Sequence, residues 1–153
     1  MSSGPGRRLN GNDTTPEEPM GFHPYLNFDG NCREAFTRYH EILGGDLVIL
    51  PMSEVPDIEV PPEHADRVMH AALTVDGDVL MASDVPPGEH VTASGIYVNY
   101  TVADPAEAER VFKELADGGA IIMPIGPTFW SPMFGMCTDR FGIPWMVNTD
   151  QPQ

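Results

Sequence analysis

Lysine is almost missing from this chain. Lys113 is the single example in 153 residues, and eight basic residues in all face 23 acidic ones, a net charge of −15. So acidic a surface repels nucleic-acid phosphates and anionic headgroups, which makes nucleic acid and membrane poor partners. It attracts small cations, but an acidic surface for solubility, or for a salty cytoplasm, is the better-supported reading. Cysteine is scarce too. Cys32 and Cys137 lie far apart with no metal-type spacing, which argues against a disulfide scaffold and fits a reducing cytoplasm. No apolar run approaches the ~20 residues that span a bilayer. Met1–Arg8 has no apolar stretch behind it, so no secretory leader is expected. The expected location is cytoplasmic.

What is present is a repeat at a spacing of roughly 74 residues. Asp29-Gly30 opens a helical stretch that stops at Gly44-Gly45, and Asp104-Pro105 opens another that stops at Gly118-Gly119. Each is followed by strands, and each half closes on a similar one, Val79–Asp84 and Trp145–Asp150. Residues 1–20 are almost devoid of apolar side chains and read as a disordered tail. Residues 21–150 read as one domain of two modules, about 22–90 and 94–150.

In the first module a strand over 23–28 leads to a helix with Asn31 as N-cap and Glu34 completing a capping-box pattern. Residues 51–66 carry four prolines and five acids and read as a long acidic loop, a candidate lid. A hairpin follows, turning on Asp76-Gly77. In the second module Pro105 at the first helical position precedes a helix to Asp117, and strands run near 120–123, 133–138 and 143–149. Between them lies a loop with Phe129 and Trp130.

Strand side chains alternate between faces. Across the hairpin, Thr74 pairs with Val79, Ala72 with Met81 and His70 with Ser83, and these six share a mixed face. Met69, Ala71, Leu73, Val75, Leu80 and Ala82 share an apolar face that should pack on helices. The same alternation puts His23, Tyr25 and Asn27, then Tyr97, Asn99 and Thr101, then Met146 and Asn148 on the mixed side, with Cys137 also facing in. Curved around one cavity, these side chains would hold either a small polar ligand or internal water. His70 could act as base or donor. Trp130 and Phe134 could stack on the ligand or cover a dimer seam. Asp139-Arg140 reads as a local ion pair, and Asp84 and Asp150 as exposed strand ends.

The segments Leu26–Phe36, Met69–Ala71, Leu80–Asp84 and Asp139–Asn148 together resemble the PhnB-like branch of the glyoxalase/bleomycin-resistance (vicinal oxygen chelate) superfamily, over nearly all of residues 22–150. The resemblance implies an α+β fold of two βαβββ modules, a cupped eight-stranded sheet and a homodimer. Enzymes of that superfamily hold a divalent metal at four positions, which fall here on His23, Met81, Tyr97 and Met146. Of these only His23 is a good ligand, because thioethers suit hard divalent ions poorly. Some members of the branch carry a ubiquinone-methyltransferase label, yet the chain has no Gly-rich strand–turn–helix for an adenosylmethionine cofactor. The reading is a small-molecule-binding protein whose site comprises His70, Met81, Ser83, Tyr97, Asn99, Trp130, Phe134, Met146 and Asn148, without a complete metal set. The alternative is a metal-dependent lyase, isomerase or thiol transferase using His23, His70 and an acid.

Overall fold

The computed structural model describes residues 20–150. The tail expected over 1–20 therefore lies outside the described residues except for Met20. The element order is β1 (Tyr25–Phe28), α1 (Cys32–Leu43), β2 (Asp46–Pro51), β3 (Val68–Val75), β4 (Asp78–Asp84), β5 (Val98–Val102), α2 (Pro105–Ala116), β6 (Ala120–Gly126), β7 (Phe134–Thr138) and β8 (Pro144–Thr149). This is βαβββ twice, an α+β fold. The sheets run β1-β4-β3-β2 and β5-β8-β7-β6, and in each the first and last strands of the module pair in parallel. Among the described residues eight strands form two sheets of four, with no ladder joining one sheet to the other.

Helical periodicity sets what is buried. Cys32, Ala35, Phe36, Tyr39 and Ile42 of α1 are buried, and so are Ala108, Val111, Phe112 and Leu115 of α2, spacings that line one face of a 3.6-residue helix. These stripes and the apolar sheet faces merge into one core that includes Leu73, Ala82, Trp145 and Val147. The contacts that join the modules lie on this helix side. Tyr39 of α1 packs edge-on against Trp145 of β8, with ring centroids 5.2 Å apart, and donates its hydroxyl hydrogen to Asp139. Arg110 of α2 donates to the Ile42 carbonyl at 2.9 Å.

The start of α1 is built differently from the expected capping box. Asn31 makes no side-chain cap bond. Instead Asp84, at the end of β4, accepts from Gly30 N at 2.7 Å and Cys32 N at 3.1 Å through Oδ1, and from Val68 N at 2.8 Å through Oδ2. Asp84 is thus buried, not exposed, because three backbone donors repay its desolvation. In α2 the local cap does form, with Asp104 Oδ1 accepting from Ala106 N at 3.0 Å. The repeat also recurs in close backbone approaches. A Cβ at Gly45 would sit 2.2 Å from the Thr74 carbonyl, and one at Gly119 would sit 2.0 Å from that of Thr138. Each glycine lets the strand after its helix enter the sheet.

The β3–β4 hairpin has the expected register, Thr74 opposite Val79 and Ala72 opposite Met81. Its turn residues Asp76 and Gly77 both have positive φ, 51° and 88°, as a right-twisted two-residue turn requires. One parity assignment fails. Met69 is exposed and Val68 is buried, because the β2–β3 register shifts between Leu50 and Pro51, leaving Met69 as an extra residue that reverses the alternation beyond it.

Candidate functional site

The mixed face of the first sheet is a small grid. Tyr25 and Asn27 of β1 lie beside Met81 and Ser83 of β4, Met81 lies beside Ala72 of β3, and His70 of β3 lies beside Leu50 of β2. Tyr25 Oη and His70 Nδ1 are 3.2 Å apart, linking β1 and β3 across β4. His70, Met81 and Ser83 are half-buried. Tyr25 and Leu50 are exposed, and Val48 on the same face is 63 % exposed.

The second sheet repeats the grid. Asn99 of β5, Met146 of β8, Met136 of β7 and Met123 of β6 form one row. Thr101, Asn148 and Phe134 form the next. Thr101 Oγ1 donates to Asn148 Oδ1 at 2.7 Å and accepts from Asn99 Nδ2 at 3.2 Å. Trp130 lies edge-on to Phe134, with centroids 5.4 Å apart, and screens it to 8 % exposure. Its loop is pinned by Ser131, whose Oγ lies 2.7 Å from the carbonyls of both Met133 and Thr149. The methionine row is a polarizable, adaptable surface. Met123 and Met136 were missed by sequence reasoning, although strand alternation around Met146 points to Met136 once β7 and β8 are in register.

The nine site residues expected from the sequence thus divide into two patches, His70, Met81 and Ser83 on one sheet and Asn99, Trp130, Phe134, Met146 and Asn148 on the other. Tyr97 precedes β5 and lines a cavity of about 780 Å³ with Phe22–Asn27 and the 91–96 segment. Among the described residues no hydrogen bond or ring contact links the two patches; those that join the modules are on the helix side. The helices and apolar faces hold the modules together.

Three further expectations are corrected. Cys137 stands opposite Trp145 and is buried in the helix-side core; the 139–143 turn is too long for sequence spacing to fix that register. Asp139 does not pair with Arg140. It is buried and accepts from Tyr39 Oη, Trp145 Nε1 at 2.8 Å, Phe141 N at 2.9 Å and Ile143 N at 3.0 Å, while Arg140 pairs with Asp117 at 3.0 Å. His23 precedes β1 rather than lying within it, and the hydrogen-bond partner of His70 is Tyr25.

The titrating groups of the core are not poised for chemistry. Burial, aided by Asp84, pushes the Cys32 thiol up to about 12, and burial aided by Asp139 pushes that of Cys137 up to about 11. Such thiols are inert near neutrality. Among the described residues no group of three or more His, Cys, Asp or Glu could hold a metal ion, and none of the helices there is long and apolar enough to cross a membrane.

Residues 20–148 match the family described as 3-demethylubiquinone-9 3-methyltransferase. The chain belongs to this PhnB-like family. Protein YjdN of Escherichia coli is 33 % identical over 144 residues, 88 % of this chain and 98 % of that protein. The crystal structure of protein PA1353 from Pseudomonas aeruginosa is 48 % identical, with a TM-score of 0.79 over 87 % of this chain and 99 % of that one. A putative 3-demethylubiquinone-9 3-methyltransferase, PhnB protein, from Bacillus cereus is 26 % identical, with a TM-score of 0.70 over 85 % and 99 %. In fold alone the chain is similar to a glyoxalase/bleomycin resistance protein/dioxygenase family enzyme from Burkholderia phytofirmans, at 12 % identity, a TM-score of 0.55, and coverage of 83 % and 97 %.

The family's description names a methyl transfer, which would need a methyl donor. The residues present do not fit one in the usual strand–turn–helix cradle. After β1 the amides of Gly30 and Cys32, which such a cradle would turn to an anionic ligand, are occupied by Asp84. At α2 the cap site is taken by Asp104.

Proposed function

We propose that this PhnB-like protein binds a small molecule between mixed sheet faces, and that a homodimer completes the site by bringing such faces from two copies together. The observation that carries this reading is the pair of matched, open grids. Met81 and Met146 occupy equivalent strand positions beside Tyr25 and Asn99, and Ser83 and Asn148 lie beside Asn27 and Thr101. A face mixing a His–Tyr pair, an amide–hydroxyl chain and thioethers is polar enough to orient a ligand and apolar enough to hold it. The same faces carry exposed Val48 and Leu50, apolar area that association would bury. Without a group of three metal donors among the described residues, binding is favoured over metal-dependent lyase, isomerase or thiol-transferase chemistry.

Native mass spectrometry of protein purified without chelator, with metal analysis of the same sample, tests this. The expected result is a dimer carrying an organic adduct released on denaturation. Val48→Lys/Leu50→Lys should shift the mass to a monomer that has lost the adduct. A monomeric wild type without adduct would overturn the reading, and a stoichiometric divalent metal would favour the enzymatic one.

A further inference from the structure

A cavity of about 610 Å³ lies in the seam between the modules, apart from the methionine, Trp130 and His70 positions of the mixed faces but sharing Asn99 and Thr101 with the second of them. Leu43 of α1, Leu73 and Leu80 of the first sheet, and Val98, Val102 and Trp145 of the second form its apolar wall. Asp76 and Asp78, at the β3–β4 turn, also line it, and both are exposed. No lysine or arginine is among the lining residues. Arg110 is near enough to act on Tyr100, but its guanidinium is engaged by Glu107 at 2.6 Å, by Glu114 and by the Ile42 carbonyl. The two carboxylates therefore act on the cavity without a free counter-cation.

Four polar side chains line the cavity besides these acids, His23, Asn99, Tyr100 and Thr101. His23 Nε2 is buried with no hydrogen-bond partner among the described residues, a state that calls for water or a ligand, since buried polar atoms are rarely left unpaired. The Tyr100 phenol is pushed up by burial first, then by Glu107 and Asp76, so it stays neutral and able to donate. The size lies within the range of small-molecule pockets.

The geometry points to a second binding site, in this seam, for an amphipathic amine. Its apolar body would lie on the Leu and Val wall, its ammonium at Asp76 and Asp78, and a polar group at His23 Nε2. The chain's net charge of −15 raises the local concentration of such a cation.

Fluorescence titration of the full chain with dansylcadaverine, a primary amine, and with the matched carboxylate dansyl-6-aminohexanoate tests the site at low salt. The amine should bind at least about tenfold more tightly than the acid, a factor that two uncompensated carboxylates can supply. Asp76→Asn combined with Asp78→Asn should remove most of that preference; asparagine tolerates the positive φ at position 76, so the turn is kept. Ala103→Trp, from an exposed lining position, should fill the space and abolish binding. Met81→Trp, on the mixed face, should leave it unchanged. Equal affinity for amine and acid, no amine binding, or a preference that survives both aspartate substitutions would overturn the proposal. So would loss of binding with Met81→Trp but not with Ala103→Trp, which would move the amine to the mixed faces.

Discussion

Replacing Tyr39 by phenylalanine isolates the bond that ties the two modules together. Tyr39 is fully buried, its ring packs on Phe36, Phe141 and Trp145, and its hydroxyl donates to Asp139, 100 residues away. Phenylalanine keeps the ring and its packing. Asp139 keeps Trp145 Nε1 and the amides of Phe141 and Ile143. The loss is therefore one hydrogen bond to a carboxylate, about 2 kcal/mol, which for a chain of this size lowers Tm by roughly 4–8 °C. The pH dependence carries a second signature. Burial, then the Asp139 charge, raises the Tyr39 pKa well above its ordinary value. A raised folded-state pKa contributes stability that is complete below the unfolded value of about 10 and is lost as pH rises through the folded one. At pH 11 the wild type should have lost about 1.4 kcal/mol by this route, one pKa unit's worth, and the phenylalanine variant none. The gap between the two should narrow from about 2 kcal/mol at pH 8 to about 0.6 at pH 11. Urea unfolding followed by tryptophan fluorescence and circular dichroism measures it. A gap below about 0.5 kcal/mol at pH 8, or one that does not change with pH, would refute the reasoning.

Asp84→Ala leaves the amides of Gly30, Cys32 and Val68 without their acceptor and should cost at least about 3 kcal/mol. Asp84→Asn, which keeps one acceptor oxygen, should cost less; thermal denaturation of both separates the cases. With pKa values of about 12 and 11, Cys32 and Cys137 should be thiolate to only about one part in 10⁴ and 10³ at pH 8. Ellman's reagent should find neither thiol on native protein within minutes and both in guanidinium chloride. Gly119→Ala places a Cβ against the Thr138 carbonyl and should destabilise by more than the ~1 kcal/mol that a glycine-to-alanine change ordinarily gains, read as a lowered urea midpoint.

How far the sequence could be read depended on the distance over which each feature is determined. Helix spans follow from local periodicity, and both helices were legible because a 3.6-residue stripe needs no distant information. The Asp76-Gly77 hairpin was legible because a two-residue turn fixes register. Register failed where no short turn imposed it: Met69 beyond a bulge, and Cys137 before a longer turn. Asp84 and Asp139 were misjudged for another reason. Their partners are backbone amides and an indole brought in by tertiary structure, and an aspartate at a strand end or turn reads as exposed when its acceptors' clients are out of view. The mixed faces were legible as faces; their separation into two patches was not, because alternation says which side a residue takes and nothing about how two sheets sit together.

The two modules solve the same structural problem by different routes, and this bears on the candidate site. By register, Asp84 opposite Phe28 in the first module corresponds to Thr149 opposite Val102 in the second. Asp84 fastens the end of β4 to the start of α1 and to β3. Thr149 is buried, and its hydroxyl has no partner among the described residues; α2 is capped locally by Asp104 instead. Met81 and Ser83 therefore stand on a strand whose end is tied to a helix and a neighbouring strand through charge-assisted bonds, the stronger kind. Met146 and Asn148 stand on a strand tied at that end by Ser131 and the 127–133 loop, the loop that also carries Trp130. That loop touches the second face through Trp130 and Phe134. If a ligand is held between two such faces, adaptation to its shape falls to the second module and fixed orientation, through His70 and Tyr25, to the first.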